Sequence, residues 1–239
     1  DLPAGTSLFD GLMASSDRLL ADSGAAADPE ATLRQLAALG HAEHCRCAIS
    51  DLTWDRLTPW RELIAQFFDP PDCRPCLDQL GHVTFEVAIS PDRPDWSQAY
   101  LVGGWLATRL RWTPTEPVWQ SANGGGRFTL EHNGRPVILD LVPAGDTRPP
   151  HPGLCGLVLE AHQPAGAATF AIHRSPDNTH AQLTTRLPGR ELRQRVVPFP
   201  VPTPADLLGQ ELAAWGYDPV FGDALRMAAF LSNARSHQR

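Results

Sequence analysis

The chain has 239 residues, enough to bury a substantial apolar core without help from metals or disulfides. Hydrophobic residues make up 42% of it and charged residues 20%, a balance typical of globular proteins rather than disordered ones. The formal net charge of -7 disfavours binding to nucleic-acid backbones and to anionic membrane surfaces. All 20 basic residues are arginine, which excludes Schiff-base and P-loop lysine chemistry.

The apolar windows are interrupted by Arg, Asp or Gly well before the roughly 18 residues that a membrane-spanning helix needs, so we predict no membrane association. No basic segment followed by an apolar one marks a secretion signal after Asp1, and this start is compatible with a truncation. The five cysteines form an odd set, which favours free thiols in a reducing compartment over a disulfide framework. We therefore expect a cytoplasmic protein.

The first 49 residues are rich in alanine, and their pattern is mostly helical. Asp28 is typical of a helix N-cap, and Pro29 suits the first helical position. An apolar stripe follows at helical spacing, made of Leu33, Leu36 and Leu39. Gly40 would end this helix.

A second helix is predicted to start at Thr58 as N-cap with Pro59 at the first helical position, and to end at Asp69. The residues that follow, 70–75, are predicted to form a loop. One face of this helix is apolar and is expected in the core; it carries Leu57, Trp60, Ile64 and Phe67.

From residue 82 the apolar period changes from helical to alternating. Residues 82–90 are predicted as a half-buried strand, and a helix follows over residues 97–112. Asn133-Gly134 is flanked by two apolar runs and predicts a β-hairpin, because both residues tolerate the positive φ of a type I′ turn. The Gly-rich run 123–126 could bind an anion through its backbone amides, but we favour a loop beside the hairpin.

The remainder of the chain predicts further strands followed by helices. The strands are expected at 154–161, 167–173, 180–187 and 191–197, and the helices at 203–215 and 219–234. Short turns between the strands favour antiparallel pairing. The sequence therefore predicts an α+β fold, with a mostly antiparallel sheet flanked by helices and a helical N-terminal segment.

Catalytic signatures are absent from the sequence. It contains no Walker A motif, no G-x-G-x-x-G, no H-E-x-x-H and no G-x-S-x-G. The residue pattern thus offers no catalytic residue, and we expect no cofactor.

Two cysteine motifs leave an enzymatic alternative open. The run His41–Cys47 combines two imidazoles with Cys45 and Cys47, and Cys73-Arg74-Pro75-Cys76 adds a C-x-x-C motif. The paired C-x-x-C spacing of zinc ribbons is missing, so we expect no metal site. A thiol-redox or zinc-binding enzyme that uses Cys45, Cys47, Cys73 and Cys76 is the alternative function.

The segment 50–69, SDLTWDRLTPWRELIAQFFD, resembles the D-L-x-W-x-R-L-T-P-W-R signature of the OpcA family, the glucose-6-phosphate dehydrogenase assembly proteins. We call these residues the signature segment. Two other stretches are similar to family motifs, namely 17–23 (DRLLADS) and 103–110 (GGWLATRL).

This resemblance implies that residues 1–49 form the helical end of a truncated N-terminal α/β domain and that residues 50–239 form the C-terminal α+β domain. It implies a non-catalytic assembly factor and allosteric activator that binds glucose-6-phosphate dehydrogenase in the oxidative pentose phosphate pathway, notably in cyanobacteria and actinobacteria. Thioredoxin-dependent control of cyanobacterial relatives makes thioredoxin a further candidate partner, with Cys73 and Cys76 as the redox candidates.

Within the signature segment, Arg56, Trp60 and Arg61 are the candidates for binding the partner. Arginine is enriched at interface anchors because its planar fork pairs with carboxylates. The alternative for both arginines is an internal salt bridge to a nearby acidic residue, namely Asp51, Asp55 or Glu62.

Overall fold

The computed structural model describes residues 2–3, 6–41, 47–89, 95–122, 124–144, 153–213 and 216–236. Within these ranges the helices are α1 (Ser7–Ser15), α2 (Pro29–His41), α3 (Leu52–Arg56), α4 (Thr58–Gln66), α5 (Ser97–Arg109), α6 (Pro204–Ala213) and α7 (Pro219–Ser236). The strands are β1 (Arg18–Ala21), β2 (Ala48–Asp51), β3 (Leu80–Ala88), β4 (Thr113–Ala122), β5 (Gly125–His132), β6 (Arg135–Pro143), β7 (Gly153–Gln163), β8 (Gly166–Arg174), β9 (His180–Arg186) and β10 (Arg193–Pro198).

Strands β1 and β2 form a two-stranded parallel sheet, with α2 as the connection between them. Asp28 caps α2 as predicted, because its carboxylate accepts a hydrogen bond from the backbone N–H of Ala31 at 3.0 Å. The helix passes Gly40 and ends one residue later, at His41. Sequence reasoning missed β1, since four residues are too few to show a strand period inside an alanine-rich helical stretch.

The main sheet has eight strands in the order β10-β9-β8-β7-β3-β6-β5-β4. Every neighbouring pair is antiparallel except β3 and β6, which run parallel. Strand β3 separates β6 from β7, although these two follow one another in the chain. The prediction of an α+β fold with a mostly antiparallel sheet flanked by helices is thus confirmed.

The hairpin at Asn133-Gly134 is also confirmed. Both residues have positive φ, 52° and 77°, and His132 pairs with Arg135 across the turn. The predicted strands at 154–161, 167–173, 180–187 and 191–197 correspond to β7, β8, β9 and β10.

One face of the sheet is buried under helices. The alternating side chains of β3 that were predicted to be buried, Val83, Phe85 and Val87, are each 0% exposed. Helix α5 packs on them closely enough that a Cβ on Gly103 would lie 3.5 Å from the ring of Phe85. On the opposite face polar groups remain accessible, among them His82 and Glu160.

Strand β4 was not predicted, because prolines at 114 and 117 argue against a strand. The prolines are tolerated because β4 is the edge strand of the sheet. The Gly-rich loop was predicted to span 123–126, yet Gly125 and Gly126 belong to β5, and Asn123 lies outside the described residues. The indole of Trp119 occupies the space that a Cβ on Gly126 would need.

No helix in the described ranges combines the length and the apolar character that crossing a bilayer requires. Strand β2 lies across the expected domain boundary at residue 49. The division into residues 1–49 and 50–239 stays a prediction.

Candidate functional site

The signature segment begins at the carboxyl end of β2, where the side chain of Asp51 is buried. Its carboxylate accepts hydrogen bonds from the backbone N–H of Ser23 (2.9 Å), the hydroxyl of Ser23 (2.6 Å) and the backbone N–H of Thr53 (3.0 Å). Asp51 is thereby the N-cap of α3. Burial raises the pKa of this carboxyl, and the hydrogen bonds oppose the rise. These bonds join the ends of the two parallel strands.

Arg56 pairs with Asp22, the residue directly after β1. Nη1 lies 2.5 Å from Oδ1 and Nη2 lies 2.6 Å from Oδ2, so the contact is bidentate. The hydrogen bonds from this guanidinium lower the pKa of Asp22. The internal salt bridge to Asp51, Asp55 or Glu62 considered from sequence is not what forms. Asp22 lies 34 residues upstream, where no local spacing points to it.

Trp60 is 2% exposed and packs edge-on against Phe199, with ring centroids 5.2 Å apart. The apolar face predicted for this helix is confirmed as core, because its other members are buried as well, namely Leu57, Ile64 and Phe67. The interpretation of Trp60 as a direct contact with a partner is therefore corrected, because its side chain belongs to the core. Its influence on a partner would act through the packing of α4.

Arg61 packs over the indole of Trp54, with its Cζ 3.5 Å from the ring centroid. Its guanidinium donates hydrogen bonds to the carbonyl oxygen of Trp54 (2.7 Å) and to the hydroxyl of Thr58 (2.8 Å). Burial lowers the pKa of Arg61 to about 10. The prediction of Thr58 as the N-cap of α4 is wrong, since Leu57 holds that position and makes no side-chain cap.

Asp55 of α3 faces Glu211 of α6. Burial first, and then the neighbouring carboxylate of Glu211, raise the pKa of Asp55 to about 7. Glu211 is also paired with Arg18 of β1, at 3.4 Å. The contact between α3 and α6 thus contains a carboxyl group that keeps its proton close to neutral pH.

A cavity of about 220 Å³ lies beside the signature segment. We call it the arginine cavity and define it by Gly24, Arg56, Trp60, Gln98, Arg174 and Phe199, which all line it. It is placed where β1 and β8 end and where α5 begins.

The two redox candidates lie in the turn after α4. Cys73 is 1% exposed and Cys76 is 0% exposed, and both are free thiols. The amide of Gln163 donates to Sγ of Cys76 at 2.9 Å. Burial raises the pKa of both thiols, whereas a nucleophilic dithiol depends on a lowered pKa. A redox role for this pair stays a prediction.

The other half of the predicted cysteine cluster falls largely outside the described residues, which omit 42–46 and with them Cys45. Cys47, directly before β2, is buried and lines a cavity of about 460 Å³ with residues of α2 and α7. Cys73 lines a different cavity, beside β9 and β10. Across the described part of the chain, no three His, Cys, Asp or Glu side chains group as a metal site.

Sequence reasoning missed several residues of this region. Asp22, Gln98, Arg174 and Phe199 are brought to the signature segment by tertiary packing. The sequence carried only a weak sign of one of them, since Arg174 lies two residues after the apolar run of residues 170–172.

Residues 47–225 match the model of a protein family, OpcA, described as the C-terminal domain of a glucose-6-phosphate dehydrogenase subunit. OpcA proteins of three cyanobacteria are similar to this chain, and their names associate them with the OxPP cycle. The protein of Synechocystis is 28% identical (91% of this chain, 45% of its own length), and that of Synechococcus elongatus is 28% identical (96% and 51%). The protein of Nostoc punctiforme is 29% identical (93% and 47%). The chain therefore spans about half the length of these relatives.

Two solved structures share the fold at low sequence identity. An oxidoreductase from Sinorhizobium meliloti has a TM-score of 0.52 and 14% identity, covering 96% of this chain and 73% of its own. The dehydrogenase MviM from Clostridium difficile has a TM-score of 0.51 and 8% identity, covering 93% and 71%. These values show a common fold and no more. Because the family model covers well over half of the chain, including the whole signature segment, the chain belongs to the OpcA family.

Proposed function

We propose that this protein is a non-catalytic assembly factor that binds glucose-6-phosphate dehydrogenase and activates it allosterically. The observation that carries the proposal is the match of residues 47–225 to a family described as a domain of a subunit of that dehydrogenase. The names of the three cyanobacterial relatives support a place in the oxidative pentose phosphate cycle. We propose the cytoplasm as the location, because the protein would bind glucose-6-phosphate dehydrogenase there.

A regulatory rather than catalytic role is supported by the residues of the chain. Although two proteins with the same fold are named an oxidoreductase and a dehydrogenase, this sequence has neither a lysine nor a G-x-G-x-x-G motif. Three polar side chains of the signature segment, those of Asp51, Arg56 and Arg61, make hydrogen bonds within the chain.

We further propose that the signature segment contributes to the dehydrogenase contact through Arg56 and Arg61. The side chain of Arg56 is 23% exposed beside Asp22, so part of it reaches the surface. Trp60 contributes indirectly, by fixing α4 against Phe199.

The proposal is tested by mixing the purified protein, both as this chain and in a longer form, with its cognate dehydrogenase. Co-elution and a lowered apparent KM for glucose 6-phosphate are expected. The protein alone should not oxidise glucose 6-phosphate with NADP. Failure of the longer form to bind the dehydrogenase would contradict the proposal, and turnover by the pure protein would contradict its non-catalytic part.

The contact residues are tested separately by Arg56→Ala and Arg61→Ala, with thermal midpoint and dehydrogenase affinity measured for each. Arg186 of β9 is exposed, and Arg186→Ala serves as the control for loss of one positive charge. Both variants should have a lowered midpoint because each loses internal contacts, so affinity is measured well below it. Lost affinity of a variant that is still folded at that temperature would support a direct contact. Unchanged affinity in both variants would remove the signature segment from the contact surface.

The domain division is also a proposal. A parallel strand pair connected by a helix, as in β1-α2-β2, is the unit from which α/β sheets are built, which supports residues 1–49 as the end of an α/β region. If so, residues 50–239 should still unfold cooperatively when expressed alone, at a midpoint lowered by the loss of contacts such as those of Ser23 with Asp51 and of Asp22 with Arg56. Absence of a cooperative thermal transition in residues 50–239 alone would assign residues 1–49 to the same folding unit.

Thioredoxin remains a proposed partner that depends on Cys73 and Cys76. Their burial and raised pKa do not favour exchange with a thiol protein in this conformation. Formation of a mixed disulfide between thioredoxin and Cys73 or Cys76 would support the partnership, and its absence under oxidising conditions would end it.

A further inference from the structure

Arg174, at the end of β8, carries a charge that no acidic group of the described residues balances. Its Nε is buried without a hydrogen-bond partner in the described part of the chain, and the side chain as a whole is half-buried. Burial lowers the pKa of Arg174 and is not offset by any carboxylate there. An arginine in such surroundings lowers stability unless a counter-charge arrives. The described residues therefore offer no counter-charge that would explain an arginine at this position.

The position of this guanidinium is nevertheless fixed. Its Cζ lies 5.2 Å from the centroid of the Phe199 ring, within the range of a cation–π contact. Phe199 is itself held by Trp60, whose ring meets it edge-on, and both aromatic side chains are 2% exposed. Arg174 is thus held in place on an aromatic support while its N–H donors stay unused by the described residues.

Other donors line the same cavity. The side-chain oxygen of Gln98 accepts from the backbone N–H of Leu154 at 2.9 Å, which leaves the amide NH₂ of Gln98 without a described partner. Arg56 forms part of the wall, with its charge balanced by Asp22. Among the described residues that line the arginine cavity there is no Asp and no Glu. The local charge is therefore positive in a protein whose net charge is -7.

We propose that the arginine cavity binds the phosphate or carboxylate group of a small organic anion, with Arg174 as the principal charge partner and Gln98 as a second donor. A volume of about 220 Å³ suits a small molecule rather than a folded segment of another protein. The wall formed by residues 199–202 adds apolar surface for the carbon part of such a ligand. Arg56 belongs both to this cavity and to the proposed dehydrogenase contact, but anion binding by Arg174 and Gln98 does not depend on that contact.

The test uses the whole chain, with inorganic phosphate and citrate as probes at constant ionic strength maintained with sodium chloride. We expect both probes to raise the thermal midpoint and to bind measurably by calorimetry. Arg174→Gln should weaken the binding of each probe by about tenfold or more, the loss expected for a charge-assisted contact. Without a probe, Arg174→Gln should have an unchanged or higher midpoint, because it removes a half-buried charge that no described carboxylate balances.

Two further variants keep the test decisive. Arg186→Gln removes an exposed arginine from the neighbouring strand and should bind the probes like the unmodified protein. Val201→Asp places a carboxylate at an exposed position of the cavity wall, so it should fold and lose probe binding even if Arg174→Gln does not fold. The proposal is overturned if the unmodified chain responds to neither probe, or if Arg174→Gln or Val201→Asp responds as strongly as Arg186→Gln. Binding of an acidic peptide alone would likewise overturn it and assign the cavity to a protein partner.

Discussion

The guanidinium of Arg61 packs over the indole ring of Trp54, 3.5 Å from its centroid, and at the same time bonds the backbone oxygen of that tryptophan. The indole N–H of Trp54 in turn donates to the carboxylate of Asp218, which caps the start of α7. A single arginine thus connects α4 to α3 and, through one tryptophan, to α7. Two residues of the signature segment therefore hold three helices together.

Replacing Arg61 with alanine should lower the free energy of unfolding by about 2 kcal/mol, because a cation–π contact and two partly buried hydrogen bonds are lost together. Arg61→Lys should recover only part of this, since an ammonium group cannot reproduce the planar fork. Denaturant titration measures both changes. Arg226→Ala is the control, because its pair with Asp223 is exposed and three residues apart on one helix. A similar loss in both alanine variants would contradict the assigned role of Arg61.

Gly104 marks the closest approach of α5 to α7. A Cβ at this position would lie 2.5 Å from the carbonyl oxygen of Ala224 and 3.0 Å from the backbone nitrogen of Ala228. Gly104→Ala should therefore force the helices apart and lower the free energy of unfolding by about 2 kcal/mol or more. Gly103→Ala is a matched control on the same helix. Its Cβ would meet the Phe85 ring at 3.5 Å, so it should be neutral or stabilising. Equal thermal midpoints for the two variants would refute the backbone contact.

The raised pKa of Asp55 predicts a pH dependence of stability. Between its ordinary value of 3.8 and about 7 in the folded protein, the folded state holds the proton more tightly than the unfolded state. Stability should therefore fall as pH rises through this window and stay level above it. Glu211, Arg61 and Asp51 are the charged groups that act on Asp55. Asp55→Asn, which cannot ionise, should flatten the curve and raise the thermal midpoint at pH 8, and an unchanged pH profile would contradict this.

The pair of Arg56 and Asp22 should show a measurable coupling. In a double-mutant cycle with Arg56→Ala and Asp22→Asn we expect about 1 kcal/mol, at the upper end for partly exposed pairs because the contact is bidentate. Since the pKa of Asp22 is lowered, this stabilisation is present above its ordinary pKa of 3.8 and is lost as pH falls through the lower folded value. A coupling that persists at a pH where Asp22 is protonated would indicate that the contact is not an ion pair.

Thiol reactivity distinguishes a buried cysteine pair from an active dithiol. Cys73 and Cys76 should react slowly with a thiol reagent at pH 8 in the native protein, because both are buried and their pKa is raised. All five cysteines should react rapidly after unfolding in guanidinium, and metal analysis should find no stoichiometric zinc. Peptide mapping of the labelled sites identifies the residues. Rapid labelling of Cys73 in the native protein, or one tightly held zinc per chain, would favour the enzymatic alternative.

The sequence predicted local structure well wherever a local cause determines it. The Asn133-Gly134 turn, the alternation along β3 and the cap at Asp28 all depend on neighbours in the chain. Contacts between distant segments could not be read in this way. Nothing in the sequence pairs Asp22 with Arg56, or places Phe199 beside Trp60. Strand β4 was missed for a different reason, because whether its prolines are tolerated depends on where the strand lies in the sheet.

The position of β3 between β6 and β7 has a consequence for how the sheet assembles. Strands β4 to β6 form one ribbon and β7 to β10 another, and each ribbon is linked by connections between strands that are adjacent in the chain. The two ribbons meet only through β3, which pairs with one side of each over long sequence separations, so this pairing carries the largest loop-closure entropy. Until β3 is inserted, β6 and β7 each present an open strand edge. Aggregation during synthesis and refolding is therefore expected to start at these two edges, and a factor that shields them would raise the yield of folded protein.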